Sequence, residues 1–354
     1  MKTAELREVA DGVHAYLQRG GWGYSNAGLV TDSGASLLVD TLYDLALTER
    51  MLSTLRRMTP GGRIDTVVNT HANGDHCWGN QLVGGARIVS SRAAAEEMLE
   101  LSPKRMAALV DVARVVSRSG SAGKKLLSLL DRLGVPKAAA VSESAGFVVE
   151  CFGAFDFRDV TLRLPDETFE GRLELRVGDK RVELVQVGPA HTKGDVIVHL
   201  PDQRVAFTGD ILFIGSHPIA WEGPVANWVA ACDRLLALDI DLVVPGHGPV
   251  TTKLGVQRTK EYWQDLVATA KRGTEAGASA DEIAREIFLR GYDGWSEASR
   301  LAVNLDTICR ELAGDRSRRD PFALMAKMAR LERLRAEMGH ISPEDRVVAS
   351  PVRR

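Results

Sequence analysis

Four of the eight histidines in this chain, His71, His76, His191 and His247, lie just beyond short β-like runs, and Asp210 does the same. The runs read TVVNTH, LVQVGPAH, VAFTGD and LVVPGH. Strand ends that open into loops are where a sheet scaffold brings side chains together from distant parts of a chain. A single histidine in such a place is ordinarily a satisfied turn or surface residue. Five imidazole and carboxylate donors in the same setting point instead to a metal centre, because these groups are the ligands of zinc and of other borderline divalent ions such as iron or manganese.

The densest stretch is NTHANGDHCWGN, residues 69–80, directly behind the apolar run IDTVV. Along the chain, the order HxxxDH, GPAHTxGD, a strand ending in TGD and then PGHGP resembles the metallo-β-lactamase fold superfamily over residues 13–250. The resemblance implies an α+β fold, an αββα four-layer sandwich with two sheets face to face, helices outside and metals at one edge. It implies that His71 and His191 hold one metal, that Asp75, His76 and His247 hold a second, and that Asp210 bridges the two. Most of that superfamily hydrolyses esters, thioesters, lactones, amides, or phosphate and sulfate esters, and the fold does not choose among them.

Asn73 departs from the superfamily's HxHxDH pattern at one ligand of the first metal. A carboxamide is neutral and its oxygen is a weaker donor than an imidazole nitrogen, so the first site is expected to bind less tightly. Three arrangements stay open: Asn73 ligates through its oxygen, a water fills the gap, or one ion works alone at Asp75, His76 and His247. An asymmetric pair is the expectation, because His71, His191 and Asp210 are all retained. Gly74 is expected to supply a tight or positive-φ backbone that turns Asp75 and His76 inward.

A divalent ion with an open position lowers the pKa of bound water to about 7 in the best zinc sites. The expected function is therefore a metal-dependent hydrolase in which metal-bound hydroxide attacks an ester, lactone, thioester or related carbonyl. The cofactor is one or two divalent ions, zinc first, with iron or manganese as alternatives. Asp75 is expected to act in catalysis as well as ligation, and His217 to serve as a general acid or an extra ligand, against the plainer reading of a loop histidine. His217, Trp221 and Trp228 follow Asp210 and could wall a pocket, and Tyr24 could line its mouth. Cys77 reads as buried packing. His14, His199 and His340 read as structural or exposed. A diiron redox protein of the same fold would want a carboxylate at position 73, and a non-catalytic binding module is the remaining alternative.

Positioning these groups falls to alternating β runs. GVHAYLQ, AGLVTD and ASLLVDT open the chain, a helical pattern covers 45–58, and IDTVVNT and ARIVSS come next. Residues 91–140 change to helical spacing around the break RSGSAGK and read as an inserted helical hairpin that includes KKLLSLLDRLG. Strand signals return in VTLRL, RLELRVGDKRVELVQVG, VIVHLP, RVAFTGD and DLVVPGH, with GDK as a hairpin turn. The expected organisation is a sandwich domain over residues 1–254 and a helical extension over 255–354, which packs on the core or on a second subunit as a homodimer.

Composition narrows the partners. A formal net charge of −2 gives no basic field for nucleic acid. No run is long and apolar enough for a membrane span, the start lacks the apolar core of a signal peptide, and four cysteines are scattered without a pairing pattern. The expectation is a cytoplasmic protein acting on a small molecule, with neither nucleic-acid nor membrane partner.

Overall fold

The computed structural model describes residues 4–120, 138–290, 294–315, 317 and 319–339. RSGSAGK falls mostly outside these residues, and KKLLSLLDRLG and His340 fall entirely outside them.

Seven strands form the first sheet in sequence order: β1 (Ala4–Ala10), β2 (Val13–Gln18), β3 (Ala27–Asp32), β4 (Ala35–Val39), β5 (Thr66–Val68), β6 (Arg87–Ser91) and β7 (Glu167–Phe169). The first four are antiparallel; from β4 through β7 neighbours run parallel. The second sheet has the order β12-β11-β10-β9-β8, from β8 (Arg172–Val177), β9 (Lys180–Gln186), β10 (Val196–Leu200), β11 (Val205–Phe207) and β12 (Leu242–Val244). The GDK turn joins β8 to β9 in register, Val177 facing Lys180.

Period-two alternation sorts the side chains into layers. Val30, Leu37, Val39, Val68 and Val89 of the first sheet meet Leu184, Val196, Val198, Phe207 and Val244 of the second in one dry core. Their neighbours Leu29, Leu38, Val67 and Ile88 turn outward into a second core with Met51, Leu52 and Leu55 of helix α1 (Leu45–Leu55). On the other side, Ile197, Ala206 and Val243 belong to the same outer cluster as the helices that cover them. Helices on both outer faces of two packed sheets make the αββα sandwich. β9, β11 and β12 point the same way, so their C-terminal ends, like that of β5, deliver loops to one edge. The amide of Val196 donates to the Thr70 carbonyl at 2.8 Å and fastens the sheets together there.

After β5 comes the short helix α2 (Gly74–Cys77). Helices α3 (Arg92–Met98), α4 (Pro103–Arg118) and α5 (Ala138–Phe152) fill the inserted region, α4 packing along α5. Helix α6 (Val225–Ala237) covers the second sheet. Beyond it come α7 (Lys253–Glu275), α8 (Ala280–Arg290), α9 (Leu301–Leu312) and α10 (Pro321–Gly339). These last helices lie against the rest of the molecule: Trp263 of α7 meets Trp228 of α6 at 4.5 Å, and α10 packs on α5 with Arg330 and Arg333 paired to Glu143.

Three details differ from the sequence reading. β1, β7 and the length of α5 carry weak local signals, and the structure adds them. VTLRL is not a strand. Side chains serve that segment instead: Arg163 donates to the carbonyls of Val83 and Ala86, and Asn80 donates to the Arg163 carbonyl. Gly74 does not have a positive φ. It heads α2 against the rings of Trp78 and Tyr43, where any Cβ would collide, so the need is for close approach rather than for a left-handed backbone.

Candidate metal centre

The loops at the shared edge bring the strand-end donors together. His71 follows β5, His76 sits on α2, His191 follows β9, Asp210 follows β11 and His247 follows β12. Two groups result, each with ligand atoms within 4.8 Å of one another: His71, His191 and Asp210, and Asp75, His76 and His247. Asp210 lies between them. Its Oδ2 is 3.3 Å from His191 Nε2, 3.3 Å from His247 Nε2 and 3.8 Å from His71 Nε2, while its Oδ1 is 3.1 Å from His76 Nε2. Asp75 Oδ2 stands 3.4 Å from His247 Nε2. Gly246 permits this approach, since any Cβ there would strike Asp210 Oδ1 and the Gly209 backbone.

The outer nitrogen of each imidazole is engaged, and this fixes which nitrogen faces inward. His76 Nδ1 donates to Asp40 Oδ2 at 2.8 Å, His191 Nδ1 to the Ile219 carbonyl at 2.6 Å, and His247 Nδ1 to the Tyr24 carbonyl at 3.2 Å. Thr70 gives its hydroxyl proton to Asp40 Oδ2 at 2.7 Å and can therefore accept from His71 Nδ1 at 3.0 Å. All four rings thus turn Nε2 toward the centre. His71 Nε2, His76 Nε2 and Asp210 Oδ1 are buried and make no hydrogen bond among the described residues. Buried polar atoms without partners are costly unless a ligand lies among them, and imidazole nitrogens gathered with carboxylates are the donors divalent ions take, so the donor set fits such ions.

Charge in the cluster is strongly coupled. Burial opposes ionisation of Asp210, but His247, His76 and His191 outweigh it and hold the carboxyl well below its usual range. His71 is pushed well below the ordinary histidine value by burial and then by His76. His76 is raised well above it against its own burial, by Asp210, Asp40 and Asp75, and His247 is lifted to about 9 chiefly by Asp210.

Asn73 is at the centre too, in an unexpected posture. Its Nδ2 donates to His191 Nε2 at 2.9 Å, so the amide caps the nitrogen that the first group would offer to an ion. His217 is a member of neither donor group. It is fully buried, with Nδ1 3.1 Å from the Tyr262 hydroxyl and its ring against Trp295, and burial followed by Arg300 pulls it down to about 3. The contacts of His217 are with Tyr262, Trp295 and the loop it sits on, and among the described residues none of them is with a member of the two donor groups, so the general-acid and extra-ligand roles expected of it gain no support from its placement.

Trp228 is likewise buried rather than a pocket wall. It lies behind His191, ring centroids 5.9 Å apart, and donates Nε1–H to the Ile211 carbonyl. Tyr24 contributes its carbonyl to His247, and Cys77 is buried with its thiol donating to Ala72 and its pKa pushed well up by burial. Sequence reasoning missed Asp40. The available signal was LLVDT, another strand ending in an aspartate. It also missed Ile219, whose contribution is a backbone carbonyl and leaves no side-chain trace.

The loop carrying Ile219 is held by the C-terminal helices. Asn304 of α9 accepts from the Ala220 amide at 2.9 Å and donates to the Pro218 carbonyl and the Tyr262 hydroxyl, while Thr307 donates to the Ala220 carbonyl at 2.8 Å.

Comparison with known proteins bears on this arrangement. A family model described as the metallo-beta-lactamase superfamily matches residues 20–247. The chain is similar to the 2,4-dinitroanisole O-demethylase subunit alpha of Nocardioides sp. (31% identical; 32% of this chain, 35% of that one). It is also similar to the linear primary-alkylsulfatase of Pseudomonas sp. (23%; 72% and 48%) and to the hydroxyacylglutathione hydrolase of Brucella ovis (29%; 40% and 51%). These alignments span about half or less of the curated relatives' length. Among solved structures, a stereoselective inverting sec-alkylsulfatase from Pseudomonas sp. matches with a TM-score of 0.59 at 18% identity, covering 88% of this chain and 50% of that one.

Proposed function

Because the chain belongs to the metallo-beta-lactamase superfamily, we propose that it is a metal-dependent hydrolase of a small-molecule ester, thioester, lactone or related substrate, with zinc as the ion. The observation that carries this reading is the inward set of four Nε2 atoms around Asp210, each oriented by the hydrogen bond of its other nitrogen. Bound there, divalent ions supply two things: a lowered pKa for water, toward about 7, and polarisation of the oxygen on which charge develops.

The protein's own residues do the rest. Asp40 and Thr70 hold His76 and His71, and the Ile219 and Tyr24 carbonyls hold His191 and His247, so the rings are oriented before an ion binds. Asp75 keeps 13% of its side chain exposed, so its carboxylate both joins the second group and is available to accept a hydrogen bond from water at the open side. Phe213 lies parallel to the His247 ring at 4.9 Å and keeps bulk water from that flank.

The two groups are unequal. Asp75, His76 and His247 with Asp210 form the tight site, and His71, His191 and Asp210 form a labile one, because an ion there must displace the Asn73 amide from His191. Zinc counting by mass spectrometry under native conditions, at limiting and then excess metal, tests this. Stepwise filling is expected, and equal simultaneous filling overturns it. A panel of aryl esters, lactones, thioesters and alkyl sulfates, run on the zinc-loaded chain with H76A as control, tests the activity; a panel in which no turnover depends on His76 sinks the hydrolase reading.

A further inference from the structure

Arg300 is a buried charge, among the described residues, that no ion pair accounts for. It enters at the start of α9, is 3% exposed, and is preceded by Glu297 in a left-handed backbone conformation. Its guanidinium lies 4.4 Å from the Trp22 ring centroid and 5.0 Å from that of Phe213, and Nη1 donates to the His217 carbonyl at 2.8 Å. No carboxylate lies within ion-pair distance of it among the described residues, and its Nε is buried without a hydrogen-bond partner. Trp22 Nε1, on the ring the guanidinium covers, is a second buried donor without a partner.

Arg300 stands one ring away from the metal centre. Phe213, under Arg300, stacks on His247 with ring planes 3° apart and meets His191 at 5.7 Å. Charges that act on Arg300 are those of Glu297, Asp210 and Asp75, the last two being members of the donor groups, and burial outweighs them so that the guanidinium is held below its ordinary pKa. An arginine out of water without a counter-ion is unfavourable, and such groups persist where a ligand supplies the missing charge. Phe147 and Phe152 of α5 meet Trp22 edge-on at 6.0 Å and 5.8 Å, so the surroundings are apolar.

We infer that Arg300 and the indole N–H of Trp22 form an oxyanion-binding subsite next to the metal centre, so that the molecule this chain hydrolyses carries a carboxylate, sulfate or phosphate on an apolar body. That the molecule is hydrolysed rests on the function proposed for the metal centre; the subsite rests on Arg300 and Trp22 alone.

The test uses the full zinc-loaded chain as wild type, R300M, R300Q and R300K. Tryptophan fluorescence is titrated with benzoate, inorganic sulfate and inorganic phosphate, before and after chelation of zinc, which separates anions on Arg300 from anions on the ions. The expected result is a saturable change in wild type that survives chelation, disappears in R300M and R300Q, and returns in part in R300K; the strongest of the three anions names the headgroup. In parallel, kcat/KM is compared for an aryl hemisuccinate and the matched neutral aryl acetate. Their ratio is expected to fall about 30- to 5,000-fold in R300M, the range for removing one partner of a desolvated charge pair.

Melting temperature separates function from scaffolding. Relieving an uncompensated buried charge should leave R300M at least as stable as wild type. A drop of several degrees with the anion response intact would mean that Arg300 is only a clamp on the His217 loop, and the inference would be wrong. An absent anion response in wild type would overturn it as well. Loss of the response in R300M with every ester inert would keep the subsite and remove only the hydrolase reading.

Discussion

The two halves of the metal centre share Asp210 and use the same ligand chemistry, yet they are built differently. His76 in the second half is tied directly to a buried carboxylate, Asp40, and Asp75 adds a charge of its own. In the first half, His71 reaches Asp40 only through the Thr70 hydroxyl, His191 leans on a backbone carbonyl, and Asn73 adds an amide where a charged or imidazole donor would strengthen the site. On the proposed reading, one neutral side chain grades the affinities of two adjacent sites without dismantling either. The support is intact on both sides; what differs is the competition for one nitrogen.

Breaking the stronger half should have the largest effect. H76A is expected to lower kcat/KM by more than about 100-fold and to abolish the first step of zinc binding, both beyond the range for loss of an outer-shell partner. Removal of the metal should be felt in stability next: at a free zinc concentration about 100 times the dissociation constant, binding contributes about 2.7 kcal/mol, so chelation should lower the melting temperature measurably. D40N keeps the shape but weakens the hold on His76 and Thr70; zinc affinity should fall about 10- to 100-fold by competition with a chromophoric chelator, with the tight site affected first. N73H sharpens the comparison from the other side. It restores an imidazole and should bring the two binding steps together in a calorimetric titration; two steps that stay as far apart as in the wild type would show that Asn73 is not what separates them. The smallest effect is expected for H217Q, whose change in kcat/KM should stay within about threefold, because a group pulled down to about 3 is already neutral at working pH.

Much of the sandwich could be read from period-two alternation, because strands such as ASLLV and VIVHL bury alternate residues on two different cores. The ligands could be read because they recur at strand ends. Asp40 was hidden by being alone in an otherwise apolar run, and its importance comes from Thr70 and His76, which only folding brings to it. β7, three residues long, has no pattern long enough to register, and it exists because the edge of β6 needs a partner. VTLRL failed in the opposite sense: it alternates like a strand, but side chains serve its backbone, Gln81 accepting from the Thr161 amide and Asn80 donating to the Arg163 carbonyl. The division at residue 254 follows the change from strand-like to helical periodicity, and the contacts of Asn304 and Thr307 with the loop beyond Asp210 cross it.

Those crossing contacts matter to anyone trimming the gene. A shortened version ending near residue 254 would retain all six residues of the two donor groups and would still encode both sheets. It would lack the two side chains that brace the peptide to which His191 is tethered, leaving that imidazole free to swivel. The catalytic unit is therefore longer than the stretch that supplies its chemistry.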